Sequence, residues 1–359
     1  MRIEEQEYTK NFDIRIWKRV LPFLKPFKKT VAVIVIFNLT CSLVDIAMPL
    51  FQRYAIDTFI EQKTLDGIWK FGLVYFLVVG FQFLSVVLFT RGSASLEMYL
   101  GKTMKRACFV HLQELSFSYY NVTPVGYILS RVMSDTDRIA GMVAWNLTDM
   151  MWALVYVLGV FAAMLALNWK LALIIMSIVP ALAVLTWYFQ NKILRWNRKV
   201  RKINSRITSG YNEGIMGAQT SKTLVIEEKN LGEFQEVTEE MRTAAIRGAR
   251  LSAVYVPLVL FCGSLATAIV VGKGGQMVLD NLLMIGTLSA FTSYAVGIFE
   301  PIQQLARNLA ELISIQANIE RVTTLLDQKP TVKDSPEVVE KYGDTFHPKK
   351  ENWEPIRGD

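Results

Sequence analysis

The chain has 359 residues, 52% hydrophobic and 20% charged, with a mean hydropathy of +0.28 and a formal net charge of +7. That is too apolar for an ordinary soluble domain and too charged for a chain lying wholly in lipid, so part of it belongs in a bilayer and part in water. Cys41, Cys108, Cys262, His111 and His347 show no ligand spacing, which leaves no metal site and makes the cysteines small apolar filler.

The first 30 residues open with Glu4, Glu5 and Glu7 and have no apolar core, which excludes a signal peptide. From Ile14 onward, Trp17, Leu21, Leu24 and Phe27 recur every three or four residues among Lys18, Arg19, Lys25 and Lys28. This predicts an amphipathic helix on the inner membrane surface, shortened or kinked by Pro22 and Pro26.

Six apolar stretches follow, at 31–59, 68–89, 145–167, 171–189, 253–271 and 282–301. Each is long enough to cross a hydrocarbon core of about 30 Å at about 1.5 Å rise per residue. In the first, Asn38, Ser42, Asp45, Pro49 and Gln52 share one helical face. A charged side chain at a helix centre costs about 2.5–3.5 kcal/mol on insertion scales, so Asp45 should face protein or water. That leaves two readings, a wall of a substrate path or interhelical hydrogen bonding. The sixth stretch carries a weaker polar stripe of Ser289, Ser293, Glu300 and Gln303. Asn146 and Asp149 stand at one end of the third, and Pro180, Pro257 and Pro301 are candidate bend points.

The polar gaps are unequal, and two of them, of 54 and 63 residues, read as helix. In the first, Leu100, Met104, Cys108, Leu112 and Leu115 form a stripe that continues the second span. The chain turns near Pro124 and Gly126, and helix resumes through Ile128, Val132, Ile139 and Val143. The second gap begins as basic helix, changes character at Gly210, Gly214 and Gly217, and returns along Leu231, Phe234, Val237, Met241 and Ala245. Each arm of about 25 residues would reach about 35–40 Å from the membrane. The predicted tips are 119–127 and 217–223. Between the third and fourth spans only Asn168, Trp169 and Lys170 intervene, which predicts a tight helical hairpin.

Eight of the 39 Lys and Arg lie in the first 30 residues, six in the first large gap, twelve in the second and eight after Pro301. Only Arg53, Lys63, Lys70, Lys170 and Lys273 lie elsewhere. By the positive-inside rule, both termini and both large gaps are cytoplasmic. A solvated or nucleic-acid-binding basic face would explain the number of cations but not their one-sidedness, so no nucleic-acid partner is expected.

Several segments resemble type I ATP-binding-cassette exporters. Tyr119, Tyr120, Asn121, Pro124 and Gly126, followed by Leu129, Arg131, Ser134, Asp135 and Asp137, resemble that family's first intracellular loop. Glu213, Gly217, Lys222 and Glu227 or Glu228 resemble the second. Glu320, Arg321 and Val322 with Leu325, Leu326 and Asp327 resemble the exit from its sixth helix. The resemblance implies an all-α membrane domain at 31–327 with six transmembrane helices extended into the cytoplasm. It implies coupling through Tyr119, Tyr120, Asn121, Pro124, Gly126, Gly217, Thr220 and Lys222 to nucleotide-binding domains. Beside it, the functional reading of the polar stripes is a path for small amphipathic drugs or lipids through a bacterial cell membrane, along Asn38, Ser42, Asp45, Gln52, Ser293 and Glu300, with interhelical bonding as the other reading. A second transporter half is implied, a heterodimer in preference to a homodimer, together with membrane lipids.

No ATPase motif is present. Gly101, Lys102 and Thr103 match a Walker A loop only in part, because Leu96 stands at its first glycine, and no strand precedes them. Lys273 replaces the serine expected before Gly274, Gly275 and Gln276 in the family's signature. ATP and Mg are therefore expected on a separate domain, and residues 328–359 read as the linker to it. The alternatives are an ion-coupled secondary transporter, for which no inverted repeat is visible, and a receptor or scaffold with cytoplasmic helical arms.

Overall fold

The computed structural model describes residues 13–332 and 334–354; the acidic start at Glu4, Glu5 and Glu7 lies outside them. Helices α1 (Ile14–Lys18), α2 (Leu21–Leu24) and a 3-10 turn (Lys25–Phe27) lead into α3 (Lys28–Ala55), which ends in a π turn at Ile56–Ile60. Then come α4 (Ile68–Glu114), α5 (Phe117–Val122), α6 (Val125–Ser130), α7 (Thr136–Gly141), α8 (Leu147–Leu167) and α9 (Trp169–Met216). After α10 (Ala218–Leu224), α11 (Glu227–Leu279), α12 (Ile285–Gly297) and α13 (Phe299–Leu326), the tail holds α14 (Pro336–Tyr342). Among the described residues there is no strand, only an isolated bridge between Gly343 and Pro348.

Five helical stretches are long and apolar enough to cross a membrane: Ile14–Ile60, Ile68–Glu114, Val125–Leu167, Trp169–Met216 and Glu227–Leu279. The protein is therefore a multi-pass, all-α membrane protein. At about 1.5 Å per residue, α4, α9 and α11 are each more than twice as long as a hydrocarbon core is thick. The sixth predicted stretch, 282–301, is instead two helices with a turn at Ile298. Pro301 has no amide to donate to the carbonyl of Gly297, which removes the bond that would carry the helix across this point. Pro180 and Pro257 sit inside unbroken helices. The Asn168 hairpin forms as predicted, its side chain accepting from the backbone N–H groups of Lys170 and Leu171.

The chain divides into two compact units. The first comprises Met1–Thr40, Gln82–Met151 and Asn308–Asp359. Its core holds the whole predicted stripe of Leu100, Met104, Cys108, Leu112 and Leu115, with Ile128 and Ile139 and with Leu312, Ile319 and Val322 from α13. Val20 is buried in this core and Trp17 packs against it, whereas Ile14 and Leu21 remain exposed. The predicted surface helix is thus partly a packed element, and it is broken where Pro22 and Pro26 stand.

The second unit comprises Cys41–Phe81 and Trp152–Arg307. Its core is built around Tyr156, Met164, Ile175, Tyr255, Phe291 and Tyr294. Here α9 and α11 run side by side and α10 closes their far end. Tyr211 meets Phe234 edge-on at 4.9 Å, and Glu240 accepts from Lys199 at 3.2 Å and from Arg206 at 2.7 Å.

Candidate functional site: a polar seam and two helical tips

Within the second unit, the polar face of α3 meets α8 and α12. Trp152 Nε1 donates to Asp45 at 3.0 Å, and the Ser42 hydroxyl donates to the Trp152 carbonyl at 3.4 Å. The Trp152 ring stacks on Tyr156 at 5.3 Å. Gln52 donates through Nε2 to Ser289 Oγ at 3.0 Å and accepts at Oε1 from Ser293 at 3.3 Å. Tyr294 donates to the Ile46 carbonyl at 2.6 Å. The predicted polar stripes of the first and sixth spans thus face each other. A cavity of about 390 Å³ adjoins the seam, lined by Met48, Pro49, Gln52, Ala55, Phe71 and Tyr75. Asp45 is half-buried, and one of its oxygens accepts from the Trp152 indole N–H.

The other predicted path residues fall elsewhere. Asn38 is buried in the first unit, its Oδ1 lacking a hydrogen bond among the described residues. Glu300 is exposed in the first turn of α13. Gln303 accepts from Tyr255, whose hydroxyl also lies 3.4 Å from Thr186. In the first unit, Asn146 donates to Glu311 at 2.7 Å.

Asp57 was not anticipated. It lies in the π turn after α3, accepts from the backbone N–H of Gly286 at 2.7 Å and approaches Arg53 at 3.4 Å. A carboxylate at the start of α12 satisfies an otherwise orphaned helix amide and complements the helix dipole. Its position within an apolar stretch gave the only sequence signal, since an acid there needs a partner.

The first tip is α5 with the turn after it, so helix begins two residues ahead of the predicted element and includes Tyr119, Tyr120 and Asn121. Tyr119 and Tyr120 meet edge-on at 5.6 Å, and Tyr120 donates to the Leu112 carbonyl. Burial pushes the Tyr119 phenol above its usual pKa, and the nearby Arg131 charge partly opposes this. Pro124 and Gly126 are exposed. Behind the tip, Arg321 clamps Asp135 with two bonds, Nε to Oδ2 at 2.7 Å and Nη2 to Oδ1 at 2.8 Å. Buried Arg131 lies over the Tyr127 ring at 3.8 Å.

Ser116 occupies the N-cap position of α5, yet its hydroxyl is spent on the tail. It accepts from the backbone N–H groups of Thr331 at 2.9 Å and Val332 at 3.2 Å, and Ser118 pairs with the Thr331 hydroxyl at 3.2 Å. Ser116→Ala is expected to speed amide exchange at Thr331 and Val332 about fivefold, as expected for the loss of one modest hydrogen bond at each amide, read by hydrogen–deuterium exchange. Unchanged exchange would show that the bonds do not persist.

The second tip is α10, matching the predicted 217–223. Gly217 forms the junction with α9, and Val225 closes α10 in the left-handed region at φ 54°. Thr220 and Lys222 are exposed on it. Both tips carry large apolar side chains in the open. Phe117 is 88% exposed and Val125 76%; Met216 is 88% exposed and Val225 82%.

Comparison with known proteins matches residues 31–302 to the ABC transporter transmembrane region. Among curated relatives, the chain is 25% identical over 330 residues to an uncharacterized ABC transporter ATP-binding protein, YknV, of Bacillus subtilis, covering 90% of this chain and 54% of the relative. It is 24% identical over 333 residues to the putative multidrug export ATP-binding/permease protein YgaD of the same organism, covering 90% and 57%. It is also 24% identical over 333 residues to an ATP-dependent lipid A-core flippase of Desulfotalea psychrophila, covering 90% and 56%. The chain thus spans about half the length of the curated relatives it matches. With its all-α architecture, membrane-length helices and two helical tips, the chain belongs to the ABC transporter transmembrane family, as a transmembrane domain of the type I exporter kind.

Proposed function

We propose that this chain supplies the membrane path and the motor-docking tips of an ATP-driven exporter. It would move amphipathic compounds, drugs or lipids, out of a bacterial cytoplasm by alternating access. The observation that carries this reading is the pair of apolar tips on polar arms. Phe117 and Met216 are each 88% exposed although they stand well beyond the apolar stretches, where lipid cannot cover them. Exposed apolar clusters of this kind mark docking surfaces. The partners that fit are nucleotide-binding domains carrying ATP and Mg; the relatives' names include ATP-binding and ATP-dependent. Tyr119, Tyr120, Asn121, Pro124 and Gly126 would transmit force at the first tip, and Gly217, Thr220 and Lys222 at the second. The seam of Ser42, Asp45, Gln52 and Ser293 would line the path, with Asn38 and Glu300 as further contacts. A second transporter half, a different chain in preference to a second copy, would complete it. The one-sided basic residues support cytoplasmic termini in a cell membrane.

The test uses the full transporter in proteoliposomes. Phe117→Asp combined with Met216→Asp should reduce ATP-dependent efflux of a lipophilic dye at least about tenfold, the scale of losing interface hot spots. Thermal stability should change little, because both side chains are exposed. Undiminished efflux would remove the docking role from the tips.

A further inference from the structure

A cavity of about 570 Å³ opens between α9 and α11, lined by Lys192, Arg195, Trp196, Lys199, Arg247 and Arg250, with Leu251. Five of these side chains are cations and the lining contains no acid. Among the described residues only Lys199 is ion-paired, with Glu240 at 3.2 Å. The Arg247 guanidinium lies 5.2 Å from the Trp196 ring and the Lys199 ammonium 5.8 Å. Gly248 is buried beside them, and a Cβ there would meet Trp196 Cβ at 3.4 Å. The two helices therefore approach closely at this level, and their long basic side chains line the opening between them. Gathering four unpaired cations is electrostatically unfavourable unless an anion joins them.

The depth of this cavity indicates which anion. Lys192 stands three residues past the apolar stretch 171–189, and Arg250 three residues before the stretch 253–271. That is the headgroup level of a bilayer. The adjoining membrane-side surface is apolar and open, with Trp187 67% exposed, Tyr188 48% and Val254 54%. Trp and Tyr favour this interfacial depth, where an apolar body and a polar edge are both satisfied. A free phosphate would use the cations alone. A phosphate carrying acyl chains would use the cations and the apolar surface together.

We propose that this cavity is a binding site for the phosphate headgroup of an anionic phospholipid, with the acyl chains lying along the exposed face above it. Neither the export activity nor the docking tips are needed for this site. Lipid occupancy would bridge α9 and α11 where they leave the membrane and so hold the two arms at a fixed spacing.

Native mass spectrometry of the intact transporter in detergent, titrated with phosphatidylglycerol, phosphatidylcholine or inorganic phosphate, tests this. Phosphatidylglycerol should bind tightly and phosphatidylcholine weakly, with millimolar phosphate competing poorly. R195Q/R247Q/R250Q should weaken phosphatidylglycerol binding on the order of 100-fold, at about fivefold per basic side chain near a headgroup. R250Q alone should weaken it about fivefold and keeps the test open if the triple variant fails to assemble. R198Q/K202Q, which removes two cations from α9 outside the lining, should leave binding unchanged. Equal binding of the two lipids, full competition by phosphate, equal losses in the control pair, or undiminished binding by the R250Q variant would each overturn the assignment.

Discussion

Asp135→Ala is expected to lower the unfolding free energy by about 3 kcal/mol, the largest effect of any single truncation at the first tip. The Asp135 side chain is 4% exposed and that of Arg321 is 27% exposed, and two parallel bonds join them. Removing the carboxylate takes two charge-assisted bonds from a partly buried guanidinium that keeps its bond to Asn318, and this loss of its counter-charge, more than the lost attraction, sets the cost. Partial access of water to Arg321 places the value at the low end of the range for buried pairs. Asp135→Asn keeps one acceptor oxygen and should cost less. Asp135→Ala with Arg321→Met should cost less than the sum of the two single changes, because neither charge is then left alone. Thermal unfolding in detergent measures all of these. A loss below about 1 kcal/mol for Asp135→Ala would mean that the pair is a solvent-screened contact.

Gly286→Ala should be nearly as damaging, for a steric reason. A Cβ at this position would sit 2.4 Å from the Arg53 carbonyl oxygen and 2.5 Å from Asp57 Oδ1. The first obstacle is backbone, so the start of α12 must move away from the end of α3. That movement also breaks the 2.7 Å bond from the Gly286 amide to Asp57. Overpacking costs about 1–3 kcal/mol and a hydrogen bond to a charged group about 1.5–3 kcal/mol, so a total of about 3 kcal/mol is expected. Ser289 and Ser293 follow on the same helical face at three and seven residues, so the same displacement should pull them from Gln52. A cysteine pair at Gln52 and Ser289 should then cross-link readily in the parent protein and poorly with Gly286→Ala. Equal cross-linking and an unchanged melting temperature would show that this approach of α12 to α3 is loose.

The sequence made legible the features that repeat at helical spacing. Leu100, Met104, Cys108, Leu112 and Leu115 recur every three or four residues, and each is buried in the first unit. The break at Asn168 was legible because one long helix would bury Lys170 between two apolar runs, although its capping role was not. The seam was half legible, since Gln52, Ser289 and Ser293 were marked as polar residues in apolar stretches but nothing local paired them. Partnerships between distant positions have no period to read. Asp135 and Arg321 lie 186 residues apart, and Asp57 and Gly286 lie 229 apart. Hydropathy averages side chains and cannot register a missing amide, so 282–301 reads as one span although it breaks before Pro301. The exposure of Phe117, Val122 and Val125 was not legible either, because sequence alone does not distinguish an apolar side chain at a tip from one in a core.

The hydroxyl of Ser116 has a mechanical consequence. It joins the tail to the head of α5 across 215 residues of chain. Without that link, a pull on the tail at Val332 would reach the first tip through α13, by its core packing and its Arg321–Asp135 clamp. With the link, the pull has a parallel and shorter path, through two side-by-side hydrogen bonds to one hydroxyl. The stiffness of the connection between tail and first tip is then shared between Ser116 and Ser118 and the Arg321–Asp135 clamp, with no part left to the compliance of the membrane helices. A break in the sixth helix at Ile298 would therefore not slacken it.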